Sequence, residues 1–274
     1  MKPMTRREAL LWITALSGGA AASVCGLSGL VATLFARRHP QEADSTTPAA
    51  TPPAAEVLTP TPTLPVILPR SAWGARDVNH QARAEPGFYS PDNLLGWRVY
   101  SGDLSDVYST VAIHHSFPFR RDTGTMREIQ DLHQDMQNWA DIGYHYGIGA
   151  DGTIYEGRDI RVRGASVAGY NTGTIGVVLI GDFEQETPAE AQLASVLALV
   201  VWLAQAYTLT HLAGHFEFNP ETVCPGLNMK PFLDPLAAAA GLLRGTGGYV
   251  LPTPTPTATV MASRTGSATP AFCC

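Results

Sequence analysis

Two adjacent histidines, His114 and His115, lie in the segment TVAIHHS (110–116), whose β-branched residues and alternation predict a strand. Because successive side chains on a strand point to opposite faces, the two imidazoles cannot act as one bidentate unit. His114 shares its face with the small residues Ala112 and Ser116, which leave room for a metal ion and a substrate. His115 shares its face with two apolar residues instead. The pattern therefore selects His114 as the candidate ligand.

His215 and Cys224 form a second candidate pair, nine residues apart in the segment GHFEFNPETVCPG (214–226). Prolines and a glycine break any helix here, so both side chains can converge on one ion from a bent loop. With His114 they give two nitrogen ligands and one sulfur ligand, which leaves a fourth position open for water. That is the catalytic pattern for zinc, whereas a structural site is closed by four ligands. We predict Zn²⁺ bound by His114, His215 and Cys224.

Other residues near these segments leave alternatives open. His145 and His211 stay open as ligands, although core or surface positions fit both of them better, and His133 lies on a predicted helix, away from its apolar stripe. Tyr144, just before a predicted hairpin, could donate a hydrogen bond to a developing oxyanion or a metal-bound water. The alternative is that the Tyr144 ring only packs across the strands.

The elements that must position these residues begin with four strand-like segments. Alternation or a continuous apolar run marks each of them, and a continuous run indicates a strand buried on both faces. The segments are 110–116, a hairpin over 144–158 that turns at Asp151-Gly152, the apolar run 174–181, and 210–214.

Two helices are predicted between the strands, over 125–139 and 188–207, each with a capping box at its start. The capping residues are Thr125 with Glu128 in the first helix, and Thr187, Pro188 and Glu190 in the second. The predicted core stripe of the first helix is Ile129, Leu132, Met136 and Trp139. The order of elements predicts an α/β fold, with one mixed central β-sheet flanked by helices in a single domain.

Composition divides the chain into four parts. Residues 1–39 hold paired arginines that resemble a twin-arginine signal, then an apolar run long enough to cross a bilayer, so we predict an export signal or membrane anchor. Residues 40–66 and 247–274 are rich in Pro and Thr and are predicted to be a linker and a disordered tail. Residues 67–246 remain as the folded domain, which we expect outside the cytoplasm, in the cell envelope or secreted.

The charge of the predicted domain narrows its partners. Residues 67–246 hold 12 Lys/Arg against 20 Asp/Glu, a net charge of −8. A nucleic-acid partner would require a basic face, so nucleic acid is not expected. Cys224 is the one cysteine in this range, which excludes a disulfide within the domain and favours metal ligation or catalysis as its role.

Five segments in this order resemble the zinc amidase family that includes phage T7-type lysozyme and the peptidoglycan recognition proteins. They are RSAWGA (70–75), VAIHHS (111–116), IGYHYGIGADGTIYEGRD (142–159), GYNTGTIGVVLIGDF (169–183) and GHFEFNPETVCPG (214–226). The resemblance covers about residues 67–235, nearly the whole predicted domain. The first and fourth segments are most similar to the recognition-protein branch.

The resemblance implies a reaction and roles for individual residues. It assigns zinc to His114, His215 and Cys224, and catalytic roles to Tyr144 and Thr222. The implied reaction is hydrolysis of the amide between N-acetylmuramic acid and L-alanine in peptidoglycan. Thr222 stands where the phage enzyme has a catalytic lysine. The catalytic recognition proteins resemble this chain in having a threonine at that position.

The sequence leaves a substrate contact, the general base and the choice between related functions open. Ser166 stands where relatives often have a histidine, so a substrate contact of that histidine would be lost. The general base could be Glu217, or no dedicated base could be needed. The main alternative function is a non-catalytic peptidoglycan-binding module that tethers the protein to the wall. An amidase for soluble anhydro-muropeptides and a structural zinc protein of unrelated fold are further alternatives, opposed respectively by the export segment and by the missing fourth ligand.

Overall fold

A computed structural model describes residues 64–117 and 124–249, and within them a mixed sheet of seven strands forms the centre of the fold. In chain order the strands are β1 (Ile67–Leu68), β2 (Thr110–His115), β3 (Tyr146–Ile148), β4 (Ile154–Glu156), β5 (Thr174–Leu179), β6 (His211–Gly214) and β7 (Leu243–Arg244). They lie side by side in the order β1-β4-β3-β5-β2-β6-β7. Strands β3 and β4 pair antiparallel, and the other neighbours pair parallel. The predicted fold class is confirmed.

The four predicted strand segments all form strands, and the hairpin turns where it was predicted to turn. Gly152 in that turn has φ +86°, a left-handed backbone that favours glycine. A Cβ at Gly152 would also lie 2.7 Å from the carbonyl oxygen of Ala191. The two-residue strands β1 and β7 were not predicted, because two residues are too short to show a periodic pattern.

Helices cover both faces of the sheet. They are α1 (Gly124–Asp131), α2 (Glu190–Ala206), α3 (His215–Phe218) and α4 (Lys230–Ala239). The larger core lies between one face and helices α2 and α4, where Val111, Ile113 and Val177 are fully buried. On the other face, Val178 and Ile180 pack with residues of α1. Every residue of β2 and β5 is therefore buried.

The helix predicted over 125–139 was wrong in its length and its cap. Helix α1 begins at Gly124, so Thr125 lies inside it, and it ends at Asp131. A π-helical turn follows over Leu132–Met136. Because a π turn holds more residues than an α turn, it rotates the following side chains around the axis. Met136 is consequently 72% exposed instead of joining the core stripe.

The start of the helix predicted over 188–207 was also wrong. Helix α2 begins at Glu190, and Ala189 before it has extended backbone with ψ 152° and no side-chain cap. Thr187 therefore stands too far from the first turn to cap it. Gln192, in the first turn, instead donates its amide to the carbonyl oxygens of Ile148 and Ile180. This helix is thus tied to the ends of β3 and β5.

The predicted export segment 1–39, nearly all of the linker 40–66 and most of the tail 247–274 lie outside the described residues, so these stay predictions. Among the residues that are described, no helix combines the length and apolarity needed to cross a membrane.

Candidate metal centre

His114 and His115 stand on opposite faces of the sheet, as the alternation predicts. His114 is fully buried. It pairs with Val178 on the neighbouring strand β5, and the Val178 side chain packs with residues of α1. The His115 ring accepts a hydrogen bond at Nδ1 from the backbone N–H of Phe183 at 3.3 Å. Phe183 belongs to the core on the opposite side of the sheet. His115 is therefore a packed core residue, and His114 points toward the candidate centre.

Sheet register brings His215 beside His114. Strand β2 pairs with β6 so that Ile113 lies opposite Gly214, and the residue that follows each of these two is a histidine. His215 is the first residue of α3 and is 2% exposed, and its ring centroid lies 4.6 Å from that of His114. Two ligands distant in sequence thus meet because their strands end side by side.

Cys224 completes the cluster from the loop after α3. Its thiol is fully buried, and its backbone carbonyl accepts a hydrogen bond from the N–H of Phe216 at 2.9 Å. One ligand atom from each of His114, His215 and Cys224 lies within 4.8 Å of the others. The structure therefore brings together the three residues that the sequence predicts as metal ligands.

The geometry and donor set of this cluster fit a zinc ion. Tetrahedral zinc with ordinary Zn–N and Zn–S bonds separates a nitrogen from a sulfur ligand by about 3.6 Å. The Cys224 Sγ and His114 Nδ1 lie 3.6 Å apart. The buried Nδ1 of His215 has no hydrogen-bond partner among the described residues. Buried polar atoms without partners are costly, so bonding to an ion would satisfy this cluster.

The electrostatics of His114 keep it in the form that binds metals. Burial lowers its pKa well below the usual value, and the nearby His215, His115 and His133 lower it further. A neutral imidazole has a lone pair to give to a metal, whereas the protonated ring does not. His114 is therefore ready to bind a metal without first losing a proton.

Tyr144 lies against the cluster. Its ring centroid is 5.0 Å from that of His114, and the side chain is 3% exposed. It also contacts the ring of His133, with the two centroids 5.5 Å apart. The predicted catalytic residue thus packs directly against a predicted ligand.

His133 is a site residue that the sequence did not identify as one. The His133 Nδ1 accepts a hydrogen bond from the N–H of Gly143, so the neutral ring carries its proton on Nε2. Burial lowers the pKa of His133 to about 3, which keeps it neutral. The signal in the sequence was its position on the helix, off the stripe of Ile129 and Met136.

The other two candidate histidines lie outside the cluster. His145 accepts from the N–H of Gly176 at Nδ1, and its Nε2 lies 3.0 Å from the carbonyl oxygen of Val162. Burial lowers its pKa to about 4. His211 is half-buried at the start of β6, where its Nδ1 bonds to the hydroxyl of Thr210. His145 is therefore a core residue and His211 lies near the surface, which are the positions that the sequence favoured.

Thr222 and Glu217 have contrasting places. The Thr222 Oγ1 accepts a hydrogen bond from the N–H of Cys224 at 3.2 Å, which keeps this half-buried hydroxyl next to a ligand. The Glu217 carboxylate instead accepts from the N–H of Gly214 and pairs with Arg244. It does not join the metal-binding cluster, so Glu217 as a general base is not supported.

A cavity of about 380 Å³ lies elsewhere on the domain, with Glu85, Trp139 and Arg163 in its wall. A row of ring contacts leads toward it, from His114 to Tyr144, then His133, then Trp139, which lines the cavity. Ser166 also lines the cavity, where it presents a small side chain. A row of packed rings therefore connects the metal cluster with the wall of this cavity.

A protein-family model and several known proteins are similar to this chain. The family described as N-acetylmuramoyl-L-alanine amidase matches residues 105–227. Peptidoglycan-recognition protein LB of Drosophila melanogaster is 39% identical over 169 residues, which is 58% of this chain and 64% of that protein. Endolysin of Escherichia phage T7 is 38% identical over 112 residues, 38% of this chain and 72% of the endolysin. The chain thus spans slightly less than two thirds of the LB protein.

A solved structure and a further relative point to the same family. The solved structure of Drosophila PGRP-LB aligns with a TM-score of 0.50 at 30% identity, covering 65% of this chain and 96% of that one. Peptidoglycan-recognition protein SC2 of Drosophila melanogaster is 31% identical over 166 residues, 60% of this chain and 82% of that protein. The chain therefore belongs to the family of N-acetylmuramoyl-L-alanine amidases and peptidoglycan-recognition proteins.

Proposed function

We propose that this protein is a zinc-dependent N-acetylmuramoyl-L-alanine amidase, which hydrolyses the amide between N-acetylmuramic acid and L-alanine in peptidoglycan. The observation that carries the proposal is the buried cluster of His114, His215 and Cys224, whose ligand atoms lie within 4.8 Å of one another. Three protein ligands leave a position for water, as catalytic zinc sites do. Family membership supplies the substrate class.

The residues around the cluster suit amide hydrolysis. When bound, Zn²⁺ supplies Lewis acidity that polarises the scissile carbonyl and activates water. Tyr144 donates its phenolic hydrogen to the oxygen on which charge develops, since its ring already contacts His114. Thr222 accepts from the N–H of Cys224 and so keeps its hydroxyl hydrogen to donate. Both groups favour the tetrahedral oxyanion over the planar amide.

The test is mass spectrometry of stem peptides released from purified sacculi. The wild-type protein releases them, and a zinc chelator or Cys224→Ala stops the release and removes bound zinc. His211→Gln is a matched control, because it changes a half-buried histidine outside the cluster and leaves release unchanged. Full release by Cys224→Ala would overturn the metal assignment.

The same digests separate catalysis from binding alone. The recognition proteins among the relatives carry names that denote binding to peptidoglycan, so a tethering module is the second candidate. Such a module sediments with sacculi and releases no stem peptide at any zinc concentration. That result would replace the amidase proposal.

We further propose that the domain acts in the cell envelope outside the cytoplasm, exported or held at the membrane by residues 1–39. The support is the paired arginines and the apolar run of the sequence. Fractionation of cells tests this placement. Recovery of the protein in the cytoplasmic fraction would contradict it.

A further inference from the structure

Two of the three ligand residues depend on where α3 lies. His215 is the first residue of this one-turn helix, which directly follows β6. Phe216, the next residue, donates its N–H to the carbonyl oxygen of Cys224 at 2.9 Å. A shift of α3 therefore moves His215 directly and Cys224 through its backbone. The third ligand, His114, is fixed independently in the centre of the sheet.

The helix is held by a carboxylate and a guanidinium. The Glu217 Oε2 accepts a hydrogen bond from the N–H of Gly214 at 2.7 Å, which closes the turn around His215. The Arg244 Nη2 donates to the same carboxylate oxygen at 2.6 Å. The two side chains are 22% and 23% exposed, so water screens this pair only in part.

Arg244 also holds the chain on the other side of His215. From β7 it donates to the carbonyl oxygen of Leu212 in β6, and its Nε donates to Asp234 of α4 at 3.0 Å. Leu212 precedes His215 and Glu217 follows it, so one guanidinium restrains both flanks of the ligand. Arg244 is the residue that joins β6, α3 and α4 at this point.

We propose that Arg244, acting through Glu217, is a positioning residue that sets the metal affinity of the centre. The inference rests on the proposed function, because it takes the cluster to be a zinc site. It goes beyond that function by assigning roles to two residues that touch neither the ion nor the substrate. Outer residues that orient metal ligands typically change metal affinity about 10- to 100-fold when they are replaced.

The experiment measures the zinc dissociation constant of the full chain by competition with a chromophoric chelator. Arg244→Met keeps the length of the side chain and removes its hydrogen bonds. We expect about 10- to 100-fold weaker zinc binding. We also expect an altered visible absorption spectrum of the Co²⁺-substituted protein, because that spectrum reports the coordination geometry. A purely structural role would lower the unfolding midpoint of the metal-free protein and leave both readouts unchanged.

Two further variants locate the effect. Glu217→Gln keeps an oxygen for the N–H of Gly214 but loses the ion pair, so it weakens zinc binding less than Arg244→Met and tests the inference even if that variant folds poorly. Asp234→Asn removes the charge of the more exposed partner of Arg244 and leaves zinc binding within about twofold of wild type. The double variant Glu217→Gln/Arg244→Met binds zinc as Arg244→Met does, because the two act as a unit.

The outcomes separate this inference from the proposed function. Wild-type zinc affinity and an unchanged cobalt spectrum in Arg244→Met and Glu217→Gln would overturn the inference alone. Failure of the wild-type protein to bind zinc would overturn the proposed function and the inference with it.

Discussion

Two arginines hold two regions of the site, and their surroundings differ. Arg158 is fully buried and donates to both carboxylate oxygens of Glu85, at 2.7 and 2.9 Å. Its guanidinium also lies 4.7 Å from the centre of the Trp97 ring. Arg244, at the ligand helix, keeps about a quarter of its surface in water and pairs with a similarly exposed Glu217. We call Arg158 and Glu85 the sealed pair, because both side chains are buried, and Arg244 and Glu217 the wet pair, because water reaches both side chains.

The difference predicts different consequences for the two regions. Glu85 lines the cavity, and its carboxylate also accepts a hydrogen bond from the N–H of Ala140. The ion pair with Arg158 therefore fixes this part of the cavity wall in place. A buried charge that loses its partner cannot be solvated and is costly, whereas a partly exposed one recruits water. The sealed pair should therefore control folding, and the wet pair should control only the local placement of ligands.

The largest expected effect tests the sealed pair. Arg158→Met leaves the Glu85 carboxylate buried without its cation, so we expect a loss of about 3 to 5 kcal/mol in the free energy of unfolding. Urea denaturation measures it. The control is Arg76→Met, whose guanidinium pairs with Asp131 and Asp135 at the surface. That loss should stay below about 1 kcal/mol.

The same variant tests whether the two arginines act separately on folding and on zinc binding. Folded Arg158→Met should bind zinc with wild-type affinity, because the guanidinium of Arg158 donates to Glu85 and to backbone carbonyls outside α3 and the ligand loop. A small stability loss combined with weakened zinc binding would reverse the roles that we assign to the two arginines.

Tyr144 contacts the rings of both His114 and His133. Tyr144→Phe keeps the ring packing and removes the hydroxyl that we propose for the oxyanion. We expect kcat to fall about 10²- to 10³-fold, the usual cost of losing such a donor, with unchanged zinc affinity. Release of stem peptides measures kcat. Near wild-type kcat would show that the Tyr144 ring only packs.

A buried histidine near the cavity gives a pH test of the sealed region. His145 stays neutral in the folded protein down to a pKa of about 4, whereas the unfolded chain takes up the proton near pH 6.5. The unfolded state therefore binds more protons between these values, and stability falls as the pH drops through that window. The loss reaches about 3 kcal/mol, since each tenfold difference in proton affinity between the folded and unfolded states contributes about 1.4 kcal/mol.

His145→Gln isolates this contribution from that of other groups. Gln can still accept from the N–H of Gly176 and donate to Val162, but it does not titrate. The stability difference between wild type and variant should shrink as the pH falls from 6.5 to 4. Urea denaturation over this range measures it, and parallel curves would contradict the prediction.

The ligand region was more predictable from sequence than the cavity wall, for physical reasons. Alternation on a strand is a local rule, so it separated His114 from His115 correctly. Ligand chemistry then favoured His215 and Cys224, since few other side chains donate nitrogen or sulfur to zinc. The sequence does not show that His114 and His215 lie close together. The register of β2 and β6, with Ile113 opposite Gly214, brings them together.

The elements that the sequence missed depend on contacts distant in the chain. The π-helical turn at Leu132–Met136 has no residue signature, and it turned Met136 outward. Arg158 and Glu85 are 73 residues apart, and Arg244 and Glu217 are 27 apart, so no periodic pattern links them. Glu217 was accordingly considered as a base because it is close to His215 in sequence, whereas its partner lies on another strand.

The smallest expected effect concerns Thr222 on the ligand loop. Thr222→Val preserves shape but loses both the acceptor for the N–H of Cys224 and the hydroxyl that we propose for the oxyanion. A hydrogen bond of this kind contributes about 1 kcal/mol, so kcat should fall about five- to tenfold. Thr222→Ser retains the hydroxyl and should restore most of the rate. Equal rates in the Val and Ser variants would show that the Thr222 hydroxyl takes no part, leaving Tyr144 as the oxyanion donor beside the metal.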